Sequence, residues 1–137
     1  MKENFPCPDV WLAHRVSYGE TDAMNVFYYA EYLHYFERSR NAYLHDRGMS
    51  YAVVEERGIY LPVREAACRY RSPLRFDDLI HIRAGVRQWG RASILFEYEI
   101  WNHDKSCLMA TGKTQHACVN KEGRPVATPE WLSVLGK

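Results

Sequence analysis

The sequence predicts an α+β protein in which a curved antiparallel sheet wraps around one long helix. Three observations point there. Residues 27–47 carry aromatic and apolar side chains at helical spacing, residues 79–89 and 92–101 alternate apolar with polar, and nearly everything beyond residue 60 reads as strand. Flat strands cannot bury a long apolar helix, whereas a sheet that curls around it can.

In chain order, residues 10–18 read as a first strand. The helix of residues 27–47 repeats Tyr29, Tyr32, Leu33, Phe36, Tyr43 and Leu44, and Gly48 stops it. Its first half is apolar on most of its circumference, the pattern of an enclosed helix. A short helix over residues 50–57 ends at Gly58. Residues 60–71 are extended and broken by Ser72-Pro73. Over residues 79–89, Ile80, Ile82, Ala84 and Val86 share one face, with His81, Arg83 and Arg87 on the other. Gly90-Arg91 makes a tight turn. Ile94, Phe96, Tyr98 and Ile100 then oppose Glu97 and Glu99. Residues 102–105 form a hairpin turn and residues 107–119 a last strand. A terminal helical turn is expected with Thr128 as cap and Pro129 in the first helical position. One layer of this kind leaves an open sheet edge and a half-covered helix end, so two copies paired edge to edge, a homodimer or homotetramer, are expected.

A chain of 137 residues suits one domain, here residues 1–137, with a core of its own. Its 18 basic and 17 acidic residues leave a net charge of +1, which gives no electrostatic reason to expect nucleic acid. Arginines do crowd the middle of the chain, from Arg64 to Arg91. Cys7, Cys68, Cys107 and Cys118 lack any Cys-x-x-Cys spacing and read as reduced thiols of a cytoplasmic protein. The N-terminus lacks a signal-peptide core, and no apolar run approaches the roughly 20 residues a membrane-spanning helix needs. The six histidines are scattered, which argues against a metal centre, and no cofactor is expected. Gly-x-Ser-x-Gly and phosphate-cradling glycine loops are also missing.

Asp22 is the most informative residue. It sits in a turn-like segment just ahead of the aromatic helix, which puts a carboxylate beside exposed N–H groups at a helix N-terminus. Such a pair can attack and polarise a carbonyl. The same residue could simply cap the helix or close the turn.

The stretch Tyr18-x-x-Thr21-Asp22-Ala23-x-x-Val26-x-Tyr28-x-Ala30-x-Tyr32-Leu33-x-Tyr35-Phe36-Glu37-x-x-Arg40 resembles the hotdog-fold acyl-CoA thioesterases of the 4-hydroxybenzoyl-CoA thioesterase type. Within them it is most similar to the bacterial short-chain enzymes associated with the Tol–Pal system. Leu61 to Glu65, Tyr70 to Asp78 and Asn120 to Pro125 agree, so the resemblance runs from about residue 12 to residue 132. It implies a hotdog fold, an acyl-CoA substrate, and Asp22 as nucleophile or general base. It further implies that the backbone N–H of Tyr29, at the start of the helix, polarises the thioester carbonyl. Met24-Asn25 stands where glycine is usual, and Tyr29 where the Tol–Pal branch carries histidine. The resemblance places Tyr18 beside the site, orienting Asp22 or water, unless it is a packed strand residue. Arg91 and Ser93 fall where coenzyme A phosphates or pantetheine are held, or form a plain solvated turn. Val63 and Arg64 fall along the acyl or pantetheine arm. Glu37 and Arg40 read as a helical ion pair, or Glu37 as a second carboxylate. Release of acyl chains from a carrier protein and non-catalytic acyl-CoA binding are the alternatives. Hotdog hydratases resemble one another in Asp-x-x-x-x-His, and here Phe27 occupies the last position.

Overall fold

The computed structural model describes residues 4–22 and 30–137, in which the alternating stretches become a single antiparallel sheet. Its strands are β1 (Asp9–Arg15), β2 (Val63–Tyr70), β3 (Leu79–Trp89), β4 (Ser93–Trp101) and β5 (Leu108–Ala117). They lie side by side in the order β1-β3-β4-β5-β2. The long helix α1 (Glu31–Asp46) crosses one face, followed by α2 (Tyr51–Glu56), and α3 (Glu130–Ser133) closes the chain. This is the hotdog fold.

The alternation in β4 survives intact. Ile94, Phe96, Tyr98 and Ile100 are buried in the core, while Glu97 and Glu99 point outward and pair with Arg87 and Arg83 of β3. In β3 it holds only as far as Ala84. A bulge between Val86 and Gln88 shifts the register, which leaves Val86 half-buried. Gly85 is buried from the other side because Phe5 and Pro6 lie over it.

From α1, Tyr32, Tyr35, Phe36, Tyr43 and Leu44 enter the core. Phe36 stacks on Tyr98 at 4.3 Å, and Tyr43 meets Phe96 edge-on at 5.8 Å. Burying each such ring contributes about 1.5–3 kcal/mol. Phe36 comes so close to the sheet that only glycine fits beneath it: a Cβ on Gly112 would collide with the ring. The expected enclosure of the helix is corrected in this single chain, because Leu33 on the opposite side is 46 % exposed.

The boundaries follow local chemistry. Gly48 (φ 79°) ends α1 in the left-handed conformation, with its N–H donating to the His45 carbonyl. Ser50 caps α2 by accepting from the Val53 N–H at 3.3 Å. The cap expected at Thr128 is corrected: Pro129 occupies the N-cap position of α3. Thr128 is drawn instead to the β3–β4 turn, donating its hydroxyl to the Gly90 carbonyl and its N–H to the Arg91 carbonyl.

Candidate functional site

After β1 the chain runs through residues 17–22, which precede α1 in the sequence. The first strand is shorter than its pattern implies, because Val16 bonds to Asp77 and Asp78 and the backbone then turns into a 3-10 helix, Tyr18–Glu20. That turn is closed by the Glu20 and Thr21 N–H groups donating to the Ser17 and Tyr18 carbonyls, and by the Thr21 hydroxyl donating to the Tyr18 carbonyl. Asp22 follows directly and is exposed. The reading of Tyr18 as a packed strand residue is corrected. It lies on the turn, 69 % exposed, its ring edge-on to Phe76 at 5.7 Å. Tyr29 lies outside the described residues.

The turn hangs on one side chain. Glu20 Oε1 accepts from the Ser17 N–H at 2.8 Å, from the Tyr35 hydroxyl at 2.7 Å and from His14 Nε2 at 3.0 Å. Burial pushes this carboxyl up, but the bonds from His14, the Ser17 amide and Tyr35 outweigh it and hold it at about 2. Burial and the Glu20 bond push the Tyr35 hydroxyl well up, so it stays a donor. The return bond from the Ser17 amide is half of a capping box, and its Ser-x-x-Glu spacing is the signal in the sequence that points to Glu20.

The other candidate residues lie far away. Val63 opens β2 and is 48 % exposed, with Arg64 exposed at the bulge beside it. Arg91 is exposed on the β3–β4 turn, and Ser93 begins β4. Arg15, which leads into the 17–22 turn, pairs with Leu79 at the opposite end of β3. The 11 residues of β3 separate those ends, or roughly 32–34 Å. One chain therefore does not bring Asp22 together with Val63, Arg64, Arg91 and Ser93. A groove of about 470 Å³ on the sheet face away from α1 is bordered by Arg69, Arg71, Lys113, Glu97 and Glu99, and does not include Asp22.

The Glu37–Arg40 ion pair is corrected as well. Glu37 is exposed, whereas Arg40 is buried and donates from Nη1 to the Tyr98 hydroxyl at 3.1 Å. From there a chain of bonds runs through the interior: Tyr98 to Thr114 at 2.6 Å, Thr114 to His116 Nε2 at 2.8 Å, and His116 Nδ1 to the Leu61 carbonyl at 2.9 Å. Burial pushes His116 down to about 4, with the Arg40 charge adding to it and the Leu61 bond opposing. Its imidazole is therefore neutral near pH 7. Among the described residues no cluster of His, Cys, Asp or Glu could hold a metal ion, and no helix is long and apolar enough to cross a membrane.

A sequence profile described as the thioesterase-like superfamily matches residues 16–134, from the turn before Asp22 to α3. The chain belongs to that superfamily. It is 36 % identical over 118 residues to the acyl-CoA thioesterase YbgC of Haemophilus influenzae, covering 85 % of each chain. It is also 31 % identical over 122 residues to a putative esterase of Aquifex aeolicus, covering 88 % of this chain and 93 % of that one. Among solved structures, the DHNA-CoA thioesterase of Staphylococcus aureus superposes with a TM-score of 0.84 at 28 % identity, covering 91 % of this chain and 87 % of that one.

Proposed function

We propose that this protein is an acyl-CoA thioesterase of the 4-hydroxybenzoyl-CoA type, nearest the Tol–Pal-associated short-chain branch and acting in the cytoplasm. It hydrolyses short- to medium-chain or aromatic acyl-CoA to the free acid and coenzyme A. Asp22 serves as nucleophile or general base, and the Tyr29 N–H at the start of the helix polarises the carbonyl. One observation carries the reading: a chain similar over 85 % of its length to an acyl-CoA thioesterase presents Asp22 on a turn bonded to α1 through Tyr35. Tyr18, exposed on the same turn, orients the carboxylate or a water in this reading.

Separation of the candidate residues within one chain supports a site shared between two subunits. β2 is an edge strand, and seven of its eight residues are exposed. Pairing two copies antiparallel through β2 reverses one sheet against the other. The end bearing Val63, Arg64, Arg91 and Ser93 in one copy then lies beside the Asp22 end of its partner. In that homodimer, or a tetramer built from it, Arg91 and Ser93 hold the coenzyme A phosphates while Val63 and Arg64 flank the pantetheine arm.

The test is hydrolysis of a panel of acyl-CoA thioesters followed with a thiol reagent. Asp22→Asn and Asp22→Ala should each lose about 10²–10⁴-fold in kcat with an unchanged melting temperature. Near-full turnover by both overturns the assignment. Faster release from acyl-carrier protein than from acyl-CoA would move the substrate class, and binding of coenzyme A without thiol release would make the protein a binder.

A further inference from the structure

The bonds that converge on Glu20 do more than close a turn. Val16, just ahead of the turn, is fixed by the Asp77 and Asp78 backbone. Between there and Asp22, Glu20 is the side chain that reaches both β1, through His14, and α1, through Tyr35. Tyr35 is 1 % exposed and cannot move without disturbing the core. His14 is oriented in turn: Arg38 Nη1 lies 3.2 Å from its Nδ1. A guanidinium can only donate, so Nδ1 accepts and the imidazole proton sits on Nε2, facing Glu20. The His14 ring also stands edge-on to Tyr35 at 4.7 Å.

We propose that Glu20 is a positioning residue for the reaction: by gathering donors from β1, α1 and its own turn onto one oxygen, it fixes Asp22 relative to the start of α1. This rests on the reading of Asp22 as the reacting carboxylate. The physical need is plain. Asp22 is exposed on a turn, whereas the N–H groups assigned to the carbonyl belong to the start of the helix, and the two must be held in one geometry. A displacement of about 1 Å between reacting groups can cost about 10²-fold in rate, and Glu20 spans that gap through a partner locked in the core. Its effect on catalysis therefore passes through Asp22, with no contact of its own to substrate.

The experiment compares Glu20→Ala, Glu20→Gln, Tyr35→Phe and Asp22→Asn in the full-length protein. Short-chain and benzoyl-CoA thioesters serve as substrates, well below the unfolding midpoint read by circular dichroism. Glu20→Ala should lower kcat by about 10–100-fold with KM within about 3-fold of the parent, the mark of lost alignment rather than lost binding. Glu20→Gln keeps an amide oxygen for the three donors and should return kcat to within about 5-fold of the parent. Tyr35→Phe should give a smaller loss confined to kcat, and it carries the test alone if Glu20→Ala does not fold. Unchanged kcat in Glu20→Ala or Tyr35→Phe overturns the proposal, as does a loss that follows the folded fraction with no recovery in Glu20→Gln. An inactive Asp22→Asn beside a fully active Glu20→Ala sinks this inference alone, whereas a fully active Asp22→Asn removes the reading beneath it.

Discussion

Two polar networks, one at the 17–22 turn and one inside the sheet, use the same kinds of group, tyrosine and histidine, and are built in opposite senses. At the turn, donors converge: His14, Tyr35 and the Ser17 amide all meet one oxygen of Glu20. In the interior the bonds run one way. Arg40 can only donate and the Leu61 carbonyl can only accept. With His116 neutral, the order is fixed as Arg40 to Tyr98, Tyr98 to Thr114, Thr114 to His116 Nε2, and His116 Nδ1–H to Leu61. A convergent network with a charge at its focus survives loss of a spoke better than loss of the hub. A linear one depends on every member keeping its direction. The first suits an exposed turn that must hold a position. The second suits a core that holds an arginine without an ion pair among the described residues.

The sharpest way to break the comparison is at the buried end. Arg40→Ala should cost about 3–4 kcal/mol, because it empties a packed volume and shortens the chain of bonds. Arg40→Met, which fills the space without a charge, should cost under about 1 kcal/mol, since a buried ion is often no better than an apolar replacement. Urea denaturation of both variants measures the pair. Equal damage from both would show that the polar links, not the packing, hold the interior.

Acid titration should separate the networks next. His116 is held down near 4 from an ordinary 6.5, so below pH 6.5 the unfolded chain takes up a proton that the native protein refuses. Its stabilisation is complete above pH 6.5 and is lost as the pH falls toward 4. Glu20, held near 2 from 4.5, contributes stability that is complete above pH 4.5 and is lost between there and pH 2. Melting temperature against pH should therefore fall in two stages, His116→Gln flattening the upper and Glu20→Gln the lower. A single stage common to both variants would merge the networks into one.

The smallest effect belongs to the outermost link. Arg38 is exposed and donates to His14 Nδ1. Arg38→Ala should change stability by less than about 0.5 kcal/mol, measured by the same denaturation.

What the sequence made legible divides along the same line. Alternation over residues 93–101 announces which faces are buried, because a strand's period is set by its own backbone. The stop at Gly48 is equally local. The fate of Arg40 was not legible: spacing on the helix offers Glu37, and only the sheet supplies Tyr98. Glu20 was hidden for the same reason, since its partners His14 and Tyr35 lie 6 and 15 residues away. Asp22 stood out through motif, but its distance from Arg91 and Ser93 emerges only from the strand register.

The missing side chain at Gly112 has a consequence for how this fold can vary. With Phe36 resting almost on the backbone there, helix and sheet behave as one plate with no clearance between them. Any residue other than glycine at 112 would wedge α1 outward, tilting Tyr35 on the same helix and, with it, the tether to the acidic turn. A position that never meets a substrate would thus set the alignment of one that does.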